Sequence, residues 1–385
     1  MKKVLSVFLI FSFLVLSAFS SFADIYIEDE PVSSEIDITA ESAMLMEAKS
    51  GTVLYSKNTE YFNSPASVTK IMTLLLVCEA LERGDFKLDD IVSISEYSAS
   101  MGGSQVFLEA GENFTVEELI KCTVIASAND AAVALAELVS GSESAFVARM
   151  NERAGELGLV KTSFENATGL DDDTVNHYTC AQDIAIMSRE LIKYDIIKKY
   201  SSLWQDTIRN GEFTLTNTNR LVRYYDGCTG LKTGSTDKAG YCISVTASRG
   251  DMDLICVIMN APSIKDRNND ARALLDFGFY GYGTYKIDLS GLDAVAVNRG
   301  KEEYVKPYVE DSQLILPKSD ISRVKAVYKI DELVNAPIKK GDSIGTVEFY
   351  VGDKIVYECE VYAENEVERI TFFDIFLSIL LKVVG

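Results

Sequence analysis

The stretch that most constrains this chain is a run with almost no polar side. It reads Ile71-Met72-Thr73-Leu74-Leu75-Leu76-Val77-Cys78, then Ala80-Leu81, with Asn63-Ser64-Pro65 ahead of it and Gly84 behind. Ser64 as N-cap, Pro65 at the first helical position and Gly84 as terminator predict a helix. A helix that is apolar nearly all round belongs in the middle of a domain. Ser67 and Lys70 stand at its start, three apart and therefore on one face. Burying an ammonium is costly unless it is paired or neutral. Ser67 falls in the first turn, where free N–H groups and the helix dipole favour negative charge. A serine beside a desolvated lysine at a positive helix end supplies the parts of an activated nucleophile. The competing reading is an ordinary helix start with a lysine that snorkels to solvent.

The 385 residues suit two or three domains. The chain opens with Met1-Lys2-Lys3, an apolar run over 4–19 and Ser20-Ser21-Phe22-Ala23. A basic start, a short apolar core and a small-x-Ala end predict a secretory signal peptide, 1–23, cleaved after Ala23. An uncleaved N-terminal anchor is the alternative. The net charge is −21, and removing Lys2 and Lys3 takes it to −23. So acidic a chain is poorly suited to nucleic acid. Seven cysteines, an odd number without a C-x-x-C, sit in apolar or strand-like runs and read as small buried hydrophobes. Cys228 and Cys242, on either side of a predicted hairpin, remain the one open pairing. His177 is the only histidine. It argues against a histidine-type zinc site, and no metal or cofactor is expected. His177 itself reads as a structural loop residue.

The pattern of apolar residues divides the chain. Residues 38–55 read as two strands around Lys49-Ser50-Gly51-Thr52. Helices are predicted over 116–122, 131–139, 146–157 and 181–194, with a loop at 162–178. Strands follow at 225–231, 241–247 and 254–259, then a helix over 272–279. Strands placed early and late, with helices between, predict one sheet closed by both ends of the domain. From Ile287 to Tyr362 short alternating runs separated by turn signals predict a small all-β domain, a sandwich. The expected organisation is signal peptide 1–23, catalytic domain 24–284, β-sandwich stalk 285–364 and C-terminal helix 365–385.

Three motifs stand in order: Ser67-Val68-Thr69-Lys70, Ser127-Ala128-Asn129 and Lys232-Thr233-Gly234. Such a trio is shared by penicillin-binding proteins and class A β-lactamases. Residues 63–73, residues 232–241 and Asn166-Ala167-Thr168-Gly169-Leu170 followed by His177-Tyr178 resemble the D-alanyl-D-alanine carboxypeptidases. These are the low-molecular-mass penicillin-binding proteins of the bacterial envelope. The resemblance implies an α/β transpeptidase/β-lactamase-like fold, an antiparallel sheet flanked by helices with a helical subdomain, followed by the β domain. It implies a serine-type carboxypeptidase that removes the terminal D-alanine from peptidoglycan stem pentapeptides and is acylated by β-lactam antibiotics. Ser67 is the expected nucleophile and Lys70 its proton acceptor, depressed in basicity by Lys232. Ser127 relays a proton to the leaving amine, and Asn129 holds Lys70 or a substrate amide. The resemblance further implies an oxyanion hole from the N–H groups of Ser67 and Ser235. Lys232, Thr233 and Gly234, with Arg267 as a bidentate partner, form the site for the substrate and its carboxylate. Ala128 stands where the general form of the trio has Asp, which many carboxypeptidases of this family also lack, and Ser235 stands where close relatives often carry His.

A class A-like β-lactamase is the first alternative. It needs a Glu-x-x-Leu-Asn motif to place a hydrolytic water, and Glu165-Asn166-Ala167-Thr168-Gly169 does not fit. A catalytically silent wall-binding protein is the second. In the tail, Thr371, Asp374, Ser378 and Lys382 share one helical face, and Phe372, Phe373, Phe376, Leu377, Ile379, Leu380 and Val383 fill the rest. That predicts an amphipathic helix lying in a membrane surface, with the protein exported and peripheral on the outer face of the cytoplasmic membrane.

Overall fold

The computed structural model describes residues 36–289, 292–310 and 313–384. The signal peptide expected at 1–23 lies outside the described residues. Strands β1 (Ser42–Glu47) and β2 (Val53–Lys57) form the first hairpin. At their turn Gly51 has φ +76°, and a Cβ there would meet the Arg189 guanidinium at 3.0 Å. Strands β3 (Cys228–Thr236), β4 (Gly240–Arg249) and β5 (Met252–Ala261) complete a five-stranded antiparallel sheet, in the order β2-β1-β5-β4-β3. Ser42 pairs with Met259 and Glu47 with Leu254, so both ends of the domain do close one sheet.

Side chains alternate between the two faces, as strand geometry requires. Met44, Met46, Ile255, Val257 and Met259 pack under a helical layer, whereas Ala43, Leu45, Leu254, Cys256 and Ile258 pack on the opposite side. The helical layer contains α1 (Lys70–Arg83), α2 (Val116–Ile125), α3 (Asn129–Ser140), α4 (Glu143–Glu156) and α5 (Ala181–Leu191). All residues of α1 from Lys70 to Cys78 are buried, and Gly84 ends it at φ +79°. A capping box between Thr115 and Glu118 starts α2. One helix, α6 (Ile264–Gly281), covers the other face.

The start of the central helix differs from expectation. A 3₁₀ turn, Ala66–Thr69, precedes α1, and Pro65 occupies its cap position. The Ser64 hydroxyl donates to Asp171 Oδ2 instead of capping the helix. Tertiary contacts override the local signal: β3 lies on one side of this turn and residues 162–178 on the other. Likewise α6 starts at Ile264, eight residues ahead of the predicted position, because Ser263 accepts from the Asp266 N–H and caps it. Cys228 lies opposite Ala247 and Cys242 opposite Gly234, so their register keeps them apart, and both thiols are free.

The chain leaves α6 into β-structure. Tyr282–Lys286 pairs with Gln313–Pro317, and three- and four-stranded sheets follow. Val295, Val305, Leu316, Ile344, Val347, Phe349 and Val361 form the core between them. The last helix is Phe372–Val384. Its start is held by Asp374, whose carboxylate accepts from the N–H and hydroxyl of Thr371.

Candidate active site

The 3₁₀ turn brings Ser67 to the lip of the helical layer, and Lys70 begins the α-helix behind it. Lys70 is fully buried, and its Nζ touches three oxygens: Ser67 Oγ at 2.9 Å, Asn129 Oδ1 at 2.6 Å and the Thr168 carbonyl at 2.8 Å. No carboxylate pairs with it among the described residues. Burial first, and then the charge on Lys232, hold its basicity well below the usual lysine range.

Asn129 opens α3 and is held at both ends of its amide. Its Oδ1 faces Lys70, its Nδ2 donates to the Gly102 carbonyl, and its backbone N–H donates to the Ser104 carbonyl. Ala128, at the N-cap of α3, provides no side-chain cap. Asp130 instead accepts from the N–H groups of Val106, Leu108 and Ala131, and so ties the 102–108 segment down beside the site. Two residues before Asn129, Ser127 adopts φ +61°, a left-handed conformation that an L residue enters only at a cost. That bend aims its hydroxyl at β3, where Lys232 Nζ donates to it at 2.7 Å.

Strand β3 carries the third motif at the sheet edge. Lys232 is buried, also donates to the Thr233 carbonyl, and is pushed down to about 7 by burial and by the charge of Arg267. Thr233 Oγ1 donates to Thr218 Oγ1. Gly234 is required by contact: a Cβ there would sit 2.9 Å from the Ser67 amide nitrogen and 3.0 Å from the Pro65 carbonyl. Ser235, the next residue, is exposed.

Arg267 is helical and buried. It lies in the first turn of α6, 4% exposed, and its Nη1 reaches the Cys242 carbonyl opposite Gly234. Its other contacts are to Asn268 Oδ1, and no carboxylate pairs with it among the described residues. Burial lowers its basicity to about 10. Lys232 and Arg267 are therefore two buried cations without an acid.

Residues 162–178 supply contacts that residue types alone do not announce. The Thr168 carbonyl is a backbone group, and Thr73 Oγ1 donates to the neighbouring Ala167 carbonyl. Asp171 accepts from Ser64 and Thr236, joining the entry of the Ala66–Thr69 turn to the end of β3. The Asn-Ala-Thr-Gly-Leu stretch marked this segment in the sequence, but nothing in it specified which atom reaches Lys70.

These observations agree with comparisons to known proteins. Residues 28–263 match the D-alanyl-D-alanine carboxypeptidase family, and residues 290–369 match the C-terminal domain of penicillin-binding protein 5. The chain is 42% identical to the D-alanyl-D-alanine carboxypeptidase DacF of Bacillus subtilis, over 97% of this chain and 96% of that protein. It is 32% identical to DacC of Escherichia coli, over 87% and 86% respectively. The crystal structure of penicillin-binding protein 5 from Haemophilus influenzae superposes with a TM-score of 0.80 at 32% identity, covering 87% of this chain and 99% of that one. Penicillin-binding protein D2 of Listeria monocytogenes in its ampicillin-bound form aligns with 63% of this chain and 99% of its own, at TM-score 0.58 and 30% identity. With both domains matched in order along one polypeptide, the chain belongs to the D-alanyl-D-alanine carboxypeptidase family of low-molecular-mass penicillin-binding proteins.

Proposed function

We propose that this protein is a serine-type D-Ala-D-Ala carboxypeptidase that removes the terminal D-alanine of peptidoglycan stem pentapeptides through an acyl-enzyme on Ser67. The observation that carries the reading is the disposition of oxygens around Lys70. A neutral amine has two N–H donors and one lone pair. The Asn129 and Thr168 carbonyls have no hydrogen to give, so they take the two donors. The lone pair is left facing the Ser67 hydroxyl at 2.9 Å. Ser67 Oγ attacks the penultimate carbonyl carbon as its proton passes to Lys70. The Ser67 and Ser235 N–H groups, brought together by the close approach at Gly234, receive the oxyanion. Lys232 donates to Ser127, which leaves the Ser127 hydrogen free to go to the departing amine, and the proton that Lys70 took from Ser67 replaces it on Ser127. D-Alanine leaves, and water then hydrolyses the serine ester.

Lys232, Thr233 and Arg267 bind the free carboxylate of the substrate. Two buried cations lacking an acid are costly in the empty site, and an incoming carboxylate relieves that cost. A β-lactam offers the same carboxylate and a strained amide, but its leaving group stays tethered and hinders water. We read the protein as exported and attached to the outer face of a membrane, and the exposed apolar residues of the tail support the attachment. Phe372 is 84% exposed and Leu381 72%, with Phe373, Phe376, Ile379 and Leu380 exposed between them. Among the described residues no single helix is long and apolar enough to cross a membrane, and the exposed apolar residues of this one support the reading that it lies in the interface.

The test is to incubate the purified protein with a pentapeptide ending in D-Ala-D-Ala, quantify released D-alanine, and map a penicilloyl adduct. Released D-alanine and an adduct on Ser67 are expected. An adduct on another serine overturns the assignment.

A further inference from the structure

His177 takes no part in the chemistry above, yet it is almost wholly buried against the nucleophile turn. It is 2% exposed, and its Nε2 lies 2.8 Å from Thr69 Oγ1, between Ser67 and Lys70 in sequence. Its Nδ1 accepts from the Glu165 backbone N–H at 3.1 Å. An N–H can only donate, so Nδ1 must be the bare nitrogen and Nε2 must carry the hydrogen. The imidazole therefore donates to Thr69 and fastens two segments: the leg of the 162–178 loop at Glu165 and the turn that holds Ser67.

Between these fastenings the loop is self-supporting. Asn166 Oδ1 accepts from the N–H groups of Thr168 and Gly169, and its Nδ2 donates to the Leu170 carbonyl. The base of the loop is closed by the paired Ser163 and Tyr178 backbones. Gly169, at φ +84°, presses so closely that a Cβ would fall 1.7 Å from the Ala66 carbonyl oxygen and 2.8 Å from Thr69 Oγ1. A rigid turn seated this tightly delivers one atom to the chemistry, the Thr168 carbonyl that accepts from Lys70.

We propose that His177, as the Nε2–H tautomer, is a positioning residue for acylation: through Thr69 it seats the 162–178 loop on the nucleophile turn, and the seated loop fixes the Thr168 carbonyl that turns the Lys70 lone pair toward Ser67. This rests on the acyl-serine reading above. Burial is the largest influence on the ring and opposes its proton, as does the charge of Lys238, and together they outweigh the charges of Glu165 and Asp171, which favour it. The imidazole accordingly stays neutral, pushed down to about 4. Protonation would set an Nδ1–H against the Glu165 N–H, so only the neutral ring fits both partners.

Full-length His177→Phe, Thr69→Val and the double variant are compared with wild type for melting temperature, acylation rate by a labelled penicillin across pH, and position of the label. Each single variant that folds is expected to label on Ser67 about 10²-fold more slowly, the loss typical of misplacing a reacting group by about 1 Å. The double variant is expected to match the slower single within about twofold, because one hydrogen bond is removed either way. Hydration of Lys70 beneath an unseated loop is expected to move the acid limb of the rate to higher pH, which a loss of stability alone does not do. His177→Gln keeps a donor at the Nε2 position and is expected to acylate faster than His177→Phe. Wild-type acylation with an unmoved acid limb in Thr69→Val, or equal loss in the Gln and Phe variants, overturns the positioning role while Ser67 remains labelled. Label on a different serine overturns the acyl-serine reading instead.

Discussion

The Cβ that Gly234 lacks would lie 2.9 Å from the amide nitrogen of Ser67. The nearest neighbours at that point are backbone atoms of residues 65–68, which have no rotamer to yield. Gly234→Ala should therefore push the β3 edge away from the nucleophile turn and widen the gap between the Ser67 and Ser235 amides. The expected result is a roughly 10²-fold slower acylation by penicillin with the fold retained. Stopped-flow acylation with a circular dichroism control measures it.

Lys232 and Lys70 should give kcat/KM a bell-shaped pH dependence. Burial, and then the charge on Lys232, lower the proton affinity of Lys70, and acylation switches on with the neutral amine. Lys232 loses its proton near 7 and takes with it one of the charges that bind the carboxylate. The alkaline limb of kcat/KM is thus expected near 7, with that of kcat higher, since a bound carboxylate favours the charged lysine. Initial rates on a D-Ala-D-Ala pentapeptide between pH 4 and 10 check the order of the limbs.

The same burial makes the fold pH-sensitive. Between about 7 and its unfolded value near 10.4, Lys232 holds a proton in the unfolded chain that it lacks in the folded one. Stability from this group then rises with pH across that window. Urea unfolding of wild type and Lys232→Met should show their difference moving in favour of wild type from pH 7 to 9. A constant difference would contradict a depressed lysine.

Ser127→Ala removes a proton route without touching carboxylate recognition. It is expected to lower kcat on peptide by about 10²–10⁴-fold with little change in KM. Arg267→Ala should do the reverse: KM for the peptide acid rises, while the already poor turnover of a C-terminally amidated peptide hardly changes. Steady-state kinetics on the acid and amide pair separate the two.

Removal of residues 369–385 should release the protein from vesicles and leave hydrolysis of a small peptide intact. The exposed Phe372, Phe373 and Phe376 are then no longer present to enter the lipid surface. Co-sedimentation of the truncated mature protein with liposomes would refute the anchor.

Much of the frame was legible because its determinants are local. The α1 run announces a buried helix, the 43–55 alternation announces a hairpin, and the three motifs announce Ser67, Lys70, Ser127, Asn129 and Lys232 as neighbours. What escaped depends on contacts between distant segments. The start of α6 reads as a polar loop because Lys265-Asp266-Arg267-Asn268 lacks apolar periodicity, and only the packing reveals Arg267 as buried. The 3₁₀ form of the nucleophile turn is imposed by Gly234 and Gly169 pressing from two sides, and the acceptor at Thr168 is a carbonyl that every residue possesses.

The pairing of β1 with β5 has a consequence for how the enzyme comes into being. Ser42 waits for Met259, and Ser67 waits for Gly234, so neither the sheet nor the nucleophile exists until nearly the whole domain has been synthesised. Contacts of such long sequence separation form late and together, after a large cost in loop closure. A nascent chain that ends before β5 carries all three motifs and no reactive serine. Penicillin labelling should therefore count chains whose sheet is complete, and a chain that ends before β5 should escape the antibiotic.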